Sequence, residues 1–239
     1  MFDEAKSSNL ATNLEERFSY MTIAPYILNH LPPLALEDSL AQALDLPTDV
    51  APSHRAVVSQ GVWQGNMSMA DVEELSPATQ VQELRMDLEN FHLSPNANLM
   101  EAVKAFQSYE ANYIPVVLPE NGHFVGYILQ EDIFNALCEM PLFSEEGIWI
   151  NLRVPTQDFS LSEITQITEV NNAKLYAAFV SHLGEESVEI ALKIKPERLS
   201  EVVAAYERYG YMVSYEAGAS ERADEMRERY NQLIRFLNV

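Results

Sequence analysis

Ser68 and Asp71 stand three residues apart where the short strand-like stretch Gln64-Gly65-Asn66-Met67 gives way to a helical pattern. A hydroxyl and a carboxylate at this spacing suit a helix N-terminus, where they satisfy free backbone N–H groups, and a cap of this kind contributes about 0.5 to 2 kcal/mol. The stretch Val125-Gly126-Tyr127-Ile128-Leu129-Gln130-Glu131-Asp132 repeats the pattern with Leu129 at the hydroxyl position, so Asp132 stands without a hydroxyl partner. Either aspartate is open to a second use, because a carboxylate accepts hydrogen bonds from more than one donor. No Gly-x-Ser-x-Gly, His-Glu-x-x-His, P-loop, Gly-x-Gly-x-x-Gly or Cys-x-x-Cys pattern occurs. The five histidines, at 30, 54, 92, 123 and 182, are scattered, so the sequence proposes neither an active site nor a metal centre. The expectation is a protein that is not an enzyme.

The elements around these residues are duplicated. Leu34, Leu40, Ala43, Leu44, Val57 and Val58 precede Leu93, Leu99, Ala102, Val103, Val116 and Val117 by 59 positions, and Gly65, Met67 and Asp71 precede Gly126, Ile128 and Asp132 by 61. The two additional residues fall at the Pro119-Glu120-Asn121-Gly122 turn, where an insertion is best tolerated. Each copy reads as a helix, two short strands and a second helix. A repeat of this length exceeds a solenoid unit and implies paired modules sharing a core.

Asn112-Tyr113-Ile114-Pro115-Val116-Val117, a glycine-containing turn and Val125-Gly126-Tyr127-Ile128 leading to Asp132 resemble a cystathionine-beta-synthase (CBS) domain. The first copy is similar with His54-Arg55-Ala56-Val57-Val58 in the corresponding strand. The resemblance implies a tandem CBS pair, or Bateman module, with domain 1 over 21–75 and domain 2 with its connector over 76–142. In ligand-binding members of that family a Ser or Thr three residues before an Asp contacts a nucleotide ribose. The resemblance therefore implies an adenine nucleotide (AMP, ADP or ATP) at Ser68 and Asp71, close to Gly65, with no cofactor required. His54 and Arg55 are candidates to face its phosphate, Arg55 being equally readable as a solvated edge residue. Asp132 is the remnant of a second site. Both aspartates are also readable as plain helix caps.

Composition bounds the alternatives. The chain has 239 residues, 47% of them hydrophobic, enough for two small cores. With 15 Lys plus Arg against 36 Asp plus Glu, a formal charge of −21, it is a poor partner for nucleic acid or an anionic membrane surface. Such a charge implies self-repulsion that weakens as salt rises, the pattern of a protein adapted to high salt. The single Cys138 excludes an intrachain disulfide, and the sequence shows no signal-peptide pattern and no apolar run of membrane-spanning length. A cytoplasmic location is expected. Residues 1–20 read as a leader.

Beyond residue 146 the pattern becomes strand, helix, strand, strand, helix, strand over 147–216, the ferredoxin-like order. Behind a CBS pair this resembles the ACT-like domain of acetoin-utilisation B-type proteins. The loop Pro155 to Ser160 lacks the glycine usual in amino-acid-binding ACT domains. Residues 219–239 carry Ala223, Met226, Tyr230, Leu233, Ile234 and Leu237 at helical spacing and read as an amphipathic helix. The expected class is α/β (α+β): a CBS pair, an ACT-like βαββαβ domain and a terminal helix. The functional expectation is a regulatory protein that senses a small ligand, with a ligand-free dimerisation scaffold as the alternative. Symmetric pairing of apolar faces, giving a homodimer, is what the resemblance implies for assembly.

Overall fold

The computed structural model describes residues 21–45 and 51–215, so the leader, Pro47 and the terminal helix lie outside the described residues. The chain divides between Leu137 and Cys138 into two compact units.

In the first unit, helix α1 (Leu40–Leu44) is followed by the hairpin β1 (His54–Ser59) and β2 (Val62–Ser68) and by α2 (Met69–Glu73). Helix α3 (Leu99–Ser108), the hairpin β3 (Tyr113–Val117) and β4 (Phe124–Leu129), and α4 (Gln130–Cys138) repeat the arrangement. The copies share several equivalent bonds. Gln42 Oε1 accepts from the Ser39 N–H at 2.8 Å, and Glu101 Oε2 accepts from the Asn98 N–H at 2.8 Å, so equivalent residues start α1 and α3. Leu34 bridges Val57 in parallel as Leu93 bridges Val116. Both hairpins carry a register break at the equivalent place, after Val57 and after Val116.

The copies meet about a pseudo-twofold axis. Val62 pairs with His123, its own counterpart, while the Trp63 N–H donates to the Gly122 carbonyl at 2.9 Å and the Phe124 N–H to the Gly61 carbonyl at 3.0 Å. The segment entering each copy crosses to the other. Thr22 and Leu28 bridge Asn98 and Tyr127, and Gln80 and Glu89 bridge Ser39 and Asn66. Close approach requires glycine at both crossings. At Gly65, with φ +146°, a Cβ would lie 2.7 Å from Leu88 Cβ, and at Gly126 it would collide with the Leu28 carbonyl oxygen.

Leu34, Leu40, Ala43, Val57, Met67, Val72 and Val81 form the core of the first copy, and Ala56, Tyr113 and Tyr127 gather with Leu31 between the hairpins. Leu44 and Val103, expected on the buried stripes, are about 40% exposed. On α3 the small Ala105 faces inward instead, which lets the helix lie close to the strands.

The second unit begins with α5 (Pro141–Ser144), then β5 (Ile148–Pro155), α6 (Leu161–Val170), β6 (Ala173–Leu183), β7 (Ser187–Pro196), α7 (Leu199–Arg208) and β8 (Met212–Tyr215). Its antiparallel sheet has the order β6-β7-β5-β8, the ferredoxin-like arrangement. Strand β5 alternates, with Ile150, Leu152 and Val154 buried against Ile164, Ile167, Val202 and Tyr206 of the helices, while Trp149, Asn151 and Arg153 face away. Thr168 Oγ1 donates to the Ile164 carbonyl at 2.9 Å and accepts from the Tyr206 hydroxyl at 2.6 Å, which satisfies the polar groups of this core.

Candidate functional site

Strand β2 ends at Ser68 because its backbone turns there into α2, with Ser68 still extended at φ −66° and ψ 125°. Its Oγ accepts from the Asp71 N–H at 3.4 Å, a long bond that leaves the hydroxyl proton for another acceptor. The Asp71 side chain is exposed and makes no hydrogen bond or ion pair among the described residues. Both residues open on one cleft of about 380 Å³. Its apolar wall is Met67, Val72 and Leu75 from the first copy and Leu84 and Leu88 from the crossing segment. Two further carboxylates, Glu74 and Asp87, complete the lining.

A hydroxyl donor beside a two-oxygen acceptor can engage two neighbouring sugar hydroxyls, while the aliphatic wall accommodates the face of a flat ring. Among the described residues no group of three or more His, Cys, Asp and Glu is arranged to hold a metal ion.

The other predicted residues fall elsewhere. Gly65 is buried under Leu88 and Glu89 and positions the crossing segment that supplies one wall of the cleft, without itself lining it. His54 is 7% exposed, with Nδ1 2.9 Å from Ser53 Oγ, Nε2 3.3 Å from Glu89 Oε1 and its ring edge-on to Phe91. Of the two readings of Arg55, the solvated edge residue is excluded by its 4% exposure. Its guanidinium donates to the carbonyls of Ala43 at 2.9 Å, Gln42 at 3.3 Å and Pro32 at 2.7 Å. Burial lowers its pKa, opposed by the neighbouring Tyr113 and Asp38. Arg55 thus closes the end of α1 onto the entry loop. Asp132, half-buried in the first turn of α4, is the backbone counterpart of Asp71, but Leu129 offers it no hydroxyl and it does not reach the Ser68 cleft.

Sequence reasoning missed Asp87 and Leu88, which lie in the stretch read as a connector. The signal available was Val81, Leu84 and Leu88, apolar at helical spacing in an otherwise polar segment. A second groove, about 450 Å³, lies on the outer face of the second unit's sheet beside Arg153, Glu189, Met212 and Ser214. The Arg153 guanidinium there is already matched by the Glu189 carboxylate. No described helix is long and apolar enough to cross a membrane.

Among solved structures, a CBS domain pair/ACT domain protein from Thermotoga maritima aligns at 20% identity over 50% of this chain and 98% of its own, with a TM-score of 0.44. The cytosolic domain of the Mg2+ channel MgtE in complex with ATP aligns at 19% identity over 48% of each chain, with a TM-score of 0.41. CBSX2 in complex with AMP aligns at 17% identity over 50% of this chain and 97% of its own, with a TM-score of 0.42. None of the curated proteins matches the chain. Residues 81–139, which span the crossing segment and the second copy, match the model of the CBS domain family.

Proposed function

We propose that the chain is a non-enzymatic regulatory protein whose tandem modules sense a small ligand, an adenine nucleotide or its parent nucleoside adenosine. The observation that carries this reading is the convergence of the Ser68 hydroxyl and the Asp71 carboxylate on one cleft with an aliphatic wall. The CBS domain match over residues 81–139 supports a ligand-binding module of that kind. The crossing segment belongs to the connection between the copies, so a ligand seated against Leu84 and Leu88 ties the two together. In this reading the ACT-like second unit reports or assembles, and the protein works as a homodimer in the cytoplasm.

Titration calorimetry with adenosine, AMP, ADP and ATP tests the assignment. Binding by at least one of them, weakened roughly tenfold or more by Ser68→Ala and by Asp71→Ala, is the expected result, each variant losing about 1.4 kcal/mol or more. Binding that survives both substitutions places the ligand elsewhere.

A second reading, an assembly scaffold without a ligand, is favoured by the apolar surface of α3 and α4, where Met100, Val103 and Phe134 are 49%, 40% and 63% exposed. It requires a dimer that forms irrespective of adenine ligands and that Phe134→Glu converts to monomer in sedimentation.

A further inference from the structure

We infer that the Ser68–Asp71 cleft selects against negative charge, taking adenosine ahead of AMP, ADP and ATP. The inference rests on the reading of this cleft as a ribose site and names the charge of its ligand.

The cleft offers a phosphate little to bind. Among the described residues its lining holds the carboxylates of Asp71, Glu74 and Asp87 and no Lys, Arg or His. Of the described arginines of this copy, Arg55 is buried on three carbonyls, and the exposed Arg85, which donates to Gln64 Oε1 at 3.2 Å, does not line the cleft. Two backbone donors at the start of α2 are also in use, since the Met69 N–H donates to the Ser53 carbonyl at 2.9 Å and the Asp71 N–H to Ser68 Oγ. The helix itself has five residues and contributes little dipole.

The repulsion is large enough to read. A space of 380 Å³ taken as a sphere is about 9 Å across, close to the ~8 Å screening length at physiological salt, so each lining carboxylate is felt by a charge inside it. Three carboxylates at about 7 Å in water, screened over that length, disfavour each added negative charge about threefold. AMP then binds about tenfold more weakly than adenosine and ATP about a hundredfold more weakly.

Titration calorimetry of the full chain with adenosine, AMP and ATP, in the absence of divalent cations, tests this, together with the double variant Glu74→Gln, Asp87→Asn. The expected results are the order adenosine, AMP, ATP and an AMP-to-adenosine affinity ratio that rises several-fold in the variant. AMP binding as tightly as adenosine, or a ratio that the variant leaves unchanged, overturns the charge selection. The ribose site still stands in that case if Ser68→Ala and Asp71→Ala abolish binding. Failure of all three ligands to bind the wild-type chain removes the site and the inference together.

Discussion

Ser53 and Asn112, which occupy the same position in the two copies 59 residues apart, hydrogen-bond to each other reciprocally. The Ser53 N–H donates to Asn112 Oδ1 at 2.7 Å, and the Asn112 N–H donates to Ser53 Oγ at 2.9 Å. Each side chain thus satisfies the backbone of its counterpart, which fixes the pseudo-twofold contact beside the cleft, because the Ser53 carbonyl also receives the first N–H of α2. Asn112→Ala removes one acceptor and the bond from Nδ2 to the Ala51 carbonyl. It is expected to cost about 1 to 3 kcal/mol in urea unfolding. Ser53→Ala, which removes the acceptor of the Asn112 N–H, should cost a similar amount, and a variant of either residue that loses no stability contradicts the reciprocal contact.

The two crossing points predict a sharp contrast among glycines. At Gly65 and Gly126 a new Cβ meets Leu88 and the Leu28 carbonyl, whereas at Gly210, with φ +87°, it meets nothing within 4 Å. Gly210→Ala carries only the cost of a left-handed backbone, about 1 kcal/mol. Gly65→Ala and Gly126→Ala should each lose more than about 2 kcal/mol, since backbone must move to make room. Equal losses at all three positions, measured by chemical denaturation, would show that the crossing segments do not hold against the strands.

Arg55 tests whether a buried cation here serves structure or ligand. Arg55→Met leaves the carbonyls of Pro32 and Ala43 without their donor, and a loss of at least about 2 kcal/mol is expected, with the affinity for adenosine little changed. A variant that keeps its stability and loses ligand binding would return Arg55 to the site.

Alkali should destabilise the chain more steeply than its charge alone requires. Burial raises the pKa of Tyr113 and Tyr206, and burial together with the hydrogen bond to Glu163 Oε2 at 2.8 Å raises that of Tyr211. A phenol raised in the folded state stabilises the fold fully below its unfolded pKa of about 10. Above that pH the unfolded chain releases protons that the native chain retains, so stability falls by up to about 1.4 kcal/mol per pH unit for each such tyrosine. Tyr211→Phe should lower stability near neutrality and flatten its decline above about pH 10. An unchanged slope in unfolding midpoints against pH contradicts the role given to Tyr211.

Much of this architecture was legible in the chain itself. The constant offsets of 59 and 61 place Leu34 over Leu93 and Gly65 over Gly126, and the bridges from Leu34 to Val57 and from Leu93 to Val116 make those pairs true counterparts. The strand and helix alternation after residue 146 likewise carries its βαββαβ order on its surface. The crossing of the entry segments was not legible. Single bridges such as Leu28 to Tyr127 and Asn66 to Glu89 involve too few residues to impose a period on the sequence. The same crossing concealed the wall of the cleft at Leu84, Asp87 and Leu88. The fate of Arg55 was hidden for a related reason, since its three acceptors are carbonyls and leave no trace in side-chain types.

Backbone amide chemical shifts on addition of adenosine locate the ligand without presupposing its residues. The cleft predicts changes concentrated in residues 67–75 and 84–88, with residues 128–136 of the second copy little affected. Changes centred on Leu129 to Asp132, or spread evenly over both copies, would contradict a single ribose site at Ser68 and Asp71.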